Sequence, residues 1–150
     1  MIDIYVWTTP NGRKPLILLE ELGIPYEVHA VDLTKGAQKD PAFLAINPNG
    51  KIPAAIFDRG TDREVRIFES GAILLYLADR ERRFVAAEGQ ARADALSWLM
   101  FQMGGVGPMF GQVGHLAGRE EKIHYAIERY RSESEGLLGV IEGRIGSVPY

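Results

Sequence analysis

Within the first 31 residues two β-rich segments flank an amphipathic helix, and that order restricts the fold more than any other feature of the chain. Ile2-Asp3-Ile4-Tyr5-Val6-Trp7 alternates apolar and polar positions and predicts a first strand. Thr8-Thr9-Pro10-Asn11-Gly12 is a loop by composition. Arg13 to Leu22 predicts a helix with Pro15 tolerated in its first turn and Gly23 as C-cap. Pro25 to Val31 predicts a second strand. A strand, a helix and a strand in so short a stretch form a right-handed βαβ unit with a parallel pair.

Downstream, Lys35-Gly36-Ala37-Gln38 is loop-like, Pro41 to Ile46 predicts a short helix, and Asn47-Pro48-Asn49-Gly50 is a turn signal. Lys51 to Phe57 predicts a third strand, with Pro53 near its start where a missing amide donor is tolerated. Asp58-Arg59-Gly60 turns the chain into a fourth strand, Glu64 to Phe68, and the two form a hairpin. An apolar helix follows from Ser70. Arg80-Glu81-Arg82-Arg83 is a charge run that predicts a solvated linker. Beyond it lie two long helical segments. The first is interrupted at Gly104-Gly105-Val106-Gly107-Pro108, where a kink or break is expected. A phosphate loop is excluded there because no strand precedes the glycines and no Gly-Lys-Ser/Thr follows. The second segment sets Ile123, Ile127, Tyr130, Leu137, Ile141 and Ile145 on one face.

The strand-to-helix junction Phe68-Glu69-Ser70 carries the first chemical signal. Ser70 is a good N-cap, and the amides and dipole of a helix start form an anion site. Glu69 beside it favours an ammonium group. A carboxylate and an ammonium on neighbouring carbons describe an α-amino acid. The plainer alternative is a serine that only caps a helix beside a surface glutamate, and the junction by itself leaves both open.

Composition narrows the class. A net charge of -3 offers no electrostatic reason to expect nucleic acid or an acidic membrane as partner. No apolar run approaches the roughly 20 residues of a membrane span, and no basic-then-apolar leader opens the chain, so a cytoplasmic protein is expected. The chain has no cysteine, which removes disulfide scaffolds, thiolate zinc sites and a catalytic thiol. His29, His115 and His124 are scattered, so no metal site is expected.

Taken in order, Thr8-Thr9-Pro10-Asn11-Gly12, Val31 to Gln38, Asn47-Pro48-Asn49-Gly50-Lys51-Ile52-Pro53-Ala54, Phe68 to Leu77, Gly104 to Met109 and Tyr125 to Tyr130 resemble the cytosolic glutathione transferases. The resemblance is closest to the bacterial nu class, whose members are disulfide-bond oxidoreductases, and to the fungal nitrogen-regulator relatives. It implies an α/β thioredoxin-like N-terminal domain of order βαβ-α-ββα over residues 1–80. An all-α C-terminal domain, here incomplete, would occupy residues 87–150. It also implies a homodimer, with the helix after Ser70 and the first long helix (Trp98, Met100 and Met103) at the interface.

By the same resemblance glutathione would lie across the first domain. Ile52 would pair with the cysteinyl backbone, presented by a cis bond to Pro53. X–Pro bonds are cis in only about 5–6% of cases, so frequency alone predicts trans. Glu69 and Ser70 would hold the γ-glutamyl end, Gln38 and Lys51 the glycyl end, and Arg129 would reach a ligand from the helical domain. Thr9 and Asn11 would face the sulfur and stabilise thiolate, there being no enzyme cysteine. Without the resemblance both residues merely build the turn before the helix. The implied function is a glutathione-dependent disulfide-bond reductase or transferase acting on a small-molecule disulfide or electrophile. Met103, Met109, Phe110 and His115 are candidates for that second pocket. The alternative is a non-catalytic glutathione-binding regulatory or scaffolding protein. With part of the helical domain missing, Leu137, Ile141 and Ile145 are expected to lack cover.

Overall fold

The computed structural model describes residues 1–147, which fall into two compact units, Met1–Arg92 and a second starting at Ala93. The first contains β1 (Ile2–Val6), α1 (Pro10–Leu22), β2 (Tyr26–Ala30), two 3-10 turns (Leu33–Lys35 and Ala37–Lys39), α2 (Pro41–Leu44), β3 (Ala54–Phe57), β4 (Val65–Phe68) and α3 (Ser70–Glu81). The sheet order is β2-β1-β3-β4. β1 and β2 are parallel, as the crossover through α1 requires, and β3 runs antiparallel to both β1 and β4. This is the thioredoxin-like arrangement.

Alternation along β1 explains the packing. Ile2, Ile4 and Val6 point to one face and meet Leu19 of α1, Ala55 and Phe57 of β3, and Ile73 and Leu77 of α3. Each such side chain contributes about 1.5–3 kcal/mol when taken out of water. Tyr5, on the other face, packs with Val31, Phe43 and Ala54 in a smaller cluster under α2. Asp3 shares that second face and is buried, its carboxylate satisfied by His29 Nε2 at 2.7 Å and Arg59 Nε at 3.2 Å. β2 and β4 are the two edges.

Several expectations need correction. α1 starts at Pro10, not Arg13, because Thr9 caps it and proline suits the first helical position, so Pro10, Asn11 and Gly12 are helical and Pro15 lies inside the helix. β3 starts at Ala54, after Pro53. The charge run is no linker. Arg80 and Glu81 belong to α3, and Arg80 pairs with Asp58 at 3.2 Å. Arg83 donates to the carbonyls of Glu21 and Leu22, tying α3's end to that of α1.

In the second unit α4 (Gly89–Phe101, starting just before the boundary) passes through a π-helical turn, Gln102–Val106, into α5 (Gly107–Ala117), and α6 (His124–Ile145) follows. The glycine run therefore widens the helix instead of breaking it. Backbone torsions at Phe101, Val106 and Gly107 all stay right-handed helical. Gly105 also lets α6 approach, since a Cβ there would stand 3.2 Å from Leu137 Cδ2. Leu137 is consequently buried, contrary to expectation. Ile145 is open to solvent and Ile141 half-buried.

Candidate functional site

Register places the expected site residues of the first unit at one end of the sheet. Val6 pairs with Ala30, Tyr5 with Ala54, and Ala54 with Phe68. The segments leaving at that end are thus Trp7 to Asn11 after β1, Val31 to Gln38 after β2, Lys51-Ile52-Pro53 before β3, and Glu69-Ser70 after β4.

At the first of these, Thr9 Oγ1 accepts the Gly12 amide at 3.1 Å, which makes Thr9 the N-cap of α1. Its hydroxyl hydrogen is not used in that bond. Gly12 is buried so tightly that a Cβ would stand 2.4 Å from the Trp7 carbonyl oxygen, and only glycine fits. Asn11 is exposed, and its Oδ1 accepts from Lys14 Nζ at 2.8 Å. Burial holds the Lys14 ammonium below the usual lysine range.

The approach to β3 is fixed by Asn47, which the sequence reading used only as part of a turn. Asn47 is 1% exposed; its Nδ2 donates to the Lys51 carbonyl at 2.6 Å and its Oδ1 accepts the Asn49 amide at 3.0 Å. The turn it closes needs Gly50 at φ 61°, whose backbone runs beside the Gln38 carbonyl. The Ile52–Pro53 bond is cis, as the resemblance implies and frequency does not. Ile52 is half-buried, packed against the smaller cluster, Pro53 is buried and the Lys51 side chain is exposed. Gln38 Oε1 is buried with no hydrogen-bond partner among the described residues.

At the fourth segment the expected cap is one residue out. Glu69, not Ser70, is the N-cap of α3, and its side chain makes no cap bond. Ser70 is the buried first residue of the helix. Glu69 is held at φ 73° and ψ 122°, a strained conformation for a residue with a Cβ. The carboxylate is thereby kept off the helix start, whose amides and dipole suit an anion. This is the charge arrangement an α-amino acid group requires.

Arg129 lies on α6 in the second unit. It is exposed and lines an open cleft of about 850 Å³ with Gly104, Gly105, Met109, Tyr125 and Tyr130. Met109 alone of the four second-pocket candidates lines that cleft; Met103, Phe110 and His115 do not. In the first unit Asp3, Glu27 and His29 bring one ligand atom each within 4.8 Å of the others. Arg59 already supplies a cation to Asp3.

The four-stranded sheet of order β2-β1-β3-β4, with β1 and β2 joined through α1, is the thioredoxin-like frame. Comparison with known proteins then names the family. Residues 8–80 match the glutathione S-transferase N-terminal domain. The whole chain is 45% identical over 153 residues to the disulfide-bond oxidoreductase YfcG of Escherichia coli, and covers 71% of it. A glutathione transferase family member from Pseudomonas fluorescens, solved with two glutathione bound, aligns over 97% of this chain and 66% of its own, with 49% identity and a TM-score of 0.91. A glutathione transferase from Pseudomonas putida, solved with one glutathione disulfide per subunit, aligns over 97% and 65%, with 42% identity and a TM-score of 0.91. The chain belongs to the glutathione S-transferase family. It spans about two thirds of the length of these relatives. No helix among the described residues is long and apolar enough to cross a membrane.

Proposed function

We propose that the chain is a glutathione-dependent disulfide-bond reductase that uses glutathione as co-substrate and no enzyme cysteine. The observation that carries this reading is the gathering of a hydroxyl and an amide (Thr9, Asn11), a cis-proline (Pro53) and an amino-acid clamp (Glu69, Ser70) at one end of one sheet. The 45% identity to a disulfide-bond oxidoreductase supports it. In this reading the glutathione ammonium meets Glu69, its α-carboxylate meets the start of α3 at Ser70, and its cysteinyl backbone pairs with Ile52. Gln38 and Lys51 take the glycyl carboxylate. Arg129 holds a ligand on the second unit, and the protein works as a homodimer through α3 and the exposed face of α4.

The chemistry is two thiolate displacements. A first glutathione thiolate attacks one sulfur of the substrate disulfide, forming a glutathione mixed disulfide and expelling a substrate thiolate. A second glutathione thiolate attacks the glutathione sulfur of that intermediate, releasing glutathione disulfide and the other substrate thiolate. Two glutathiones are oxidised, one disulfide is reduced, and the two thiol protons pass through solvent to the products. Neither Thr9 nor Asn11 can accept a proton at neutral pH. Each stabilises the sulfur anion by hydrogen bonding.

Calorimetric titration with reduced and oxidised glutathione, together with turnover of a small-molecule disulfide, tests this. Binding with turnover is expected. Binding without turnover would favour a regulatory glutathione-binding protein, and a heat-silent titration would remove both readings.

A further inference from the structure

Asn11 cannot act as a donor to sulfur unless something decides which end of its amide faces outward. A primary amide is a donor at one end and an acceptor at the other, and half a turn exchanges them. A carbonyl oxygen turned toward a thiolate would repel it. The Lys14 ammonium has three donors and no acceptor, so the only atom of the Asn11 side-chain amide it can hold is Oδ1, and it does so at 2.8 Å from one helical turn away.

We propose that Lys14 is a positioning residue that locks the Asn11 amide with its NH2 group outward. Thr9 is set the same way, its Oγ1 occupied by the Gly12 amide at 3.1 Å. Both side chains therefore have their acceptors engaged from within α1 and present hydrogens on the other side. Burial of the Lys14 ammonium makes a good acceptor such as Oδ1 more valuable to it, and a charged donor strengthens the bond. The inference rests on the reading of Asn11 as an anion donor.

The test is a comparison of Lys14→Met, Lys14→Arg, Asn11→Ala and the Lys14→Met/Asn11→Ala double variant, in disulfide turnover as a function of pH. Lys14→Met should lower kcat about five-fold at nearly constant KM for glutathione and raise the apparent thiol pKa by about half a unit. Arginine is also donor-only, so Lys14→Arg should restore both. In the Asn11→Ala background Lys14→Met should add nothing. An equal effect in that background would show the ammonium acting on sulfur by itself, and would overturn the positioning role. Asn11→Ala reducing kcat while Lys14→Met changes neither kcat nor pKa would overturn it while leaving the donor reading of Asn11 intact. Asn11→Ala without effect would overturn both. The 15N resonance of the Asn11 side-chain amide, read in the unliganded protein, supplies a measurement free of turnover. It should shift in Lys14→Met and return in Lys14→Arg, and an unshifted resonance in Lys14→Met overturns the proposal.

Discussion

In the first unit Ile4, Leu19, Phe57, Ile73 and Leu77 are wholly out of water, whereas in the second only Ile127, Ser134 and Leu137 are buried among the described residues. α4 and α5 have no buried residue at all. Yet the second unit is almost entirely helical. A helix completes its backbone hydrogen bonds within its own segment, while burial needs a second surface. Strands have no such independence, since each must pair to exist, and pairing brings the core with it. The first unit therefore carries the rigid frame on which a site can be held.

Phe57→Ala should break the frame most severely, destabilising the first unit by about 3–5 kcal/mol. Leu137→Ala, at the thinner core of α6, should cost about 2 kcal/mol. The two tryptophans lie one in each unit, Trp7 and Trp98, so denaturant titrations followed in Trp98→Phe and Trp7→Phe backgrounds read the units separately. Equal losses at the two probes would contradict the contrast.

The site has its own opposition between stability and binding, concentrated at Glu69. Glu69→Gly should weaken glutathione binding by about 1.5–3 kcal/mol through loss of a charged partner. It should also raise fold stability by about 1 kcal/mol, since glycine accepts φ 73° without strain at some cost in chain entropy. Ser70→Ala should weaken binding without the stability loss of a removed cap, because Ser70 is not the cap. Calorimetry and melting on the same samples check both. Parallel loss of affinity and stability in Glu69→Gly would mean that the glutamate only supports the fold.

How much of this was legible in the sequence divides along the same line. The strand–helix–strand opening, the hairpin and the helix after Glu69 were readable from period and turn residues, because short-range rules decide them. Element starts were misread where a backbone detail overrides composition. α1 begins at Pro10, capped by Thr9 inside the expected Thr8-to-Gly12 loop, and Glu69 takes a conformation that no propensity favours. The roles of Asn47 and Lys14 were not legible because they lie in particular side-chain bonds, Asn47 to Lys51 O and the Asn49 amide, Lys14 to Asn11 Oδ1. On α6 the stripe was correct as a pattern, but periodicity says which residues share a face and not which of them find cover.

Two glycines sharpen the contrast at smaller scale. Gly12→Ala drives a Cβ to 2.4 Å from the backbone oxygen of Trp7, which cannot yield without moving the start of α1. It should cost about 1–3 kcal/mol and disturb the placement of Thr9 and Asn11. Gly105→Ala meets only the tip of Leu137 at 3.2 Å. A leucine methyl can rotate aside, and alanine favours a helix by up to about 1 kcal/mol over glycine, so the net change should be close to zero. Chemical denaturation of both variants decides it, and a Gly105→Ala loss as large as that of Gly12→Ala would show the second unit packed as rigidly as the first.

The smallest effect lies within the first unit, where Arg92 grips Asp79 of α3 with two bonds, Nη1 to Oδ1 at 2.6 Å and Nη2 to Oδ2 at 3.0 Å. That hydrogen bonding outweighs an opposing desolvation and, with a lesser attraction from the guanidinium charge, holds the Asp79 carboxyl below the ordinary aspartate range. The unfolded chain has no such fork and titrates at about pH 4. The folded form therefore binds fewer protons than the unfolded one between that value and the lowered one. Stability from this pair is complete above about pH 4 and declines as the pH falls through the folded value. The side chain of Asp79 is nearly half exposed, so water and salt screen the pair and its worth at neutral pH is small. Asp79→Asn should leave the neutral-pH melting temperature almost unchanged and flatten its fall between pH 5 and pH 3 (about one unit either side of the unfolded value). The flattening should be partial, because Asp32 and Glu64 are lowered too, the first chiefly by Thr34 and the second chiefly by the Gly60 amide. Salt at about 0.5 M should shrink the difference between parent and variant. An acid limb identical in the two proteins at low salt would leave Arg92 as a surface arginine with no part in holding Asp79 ionised.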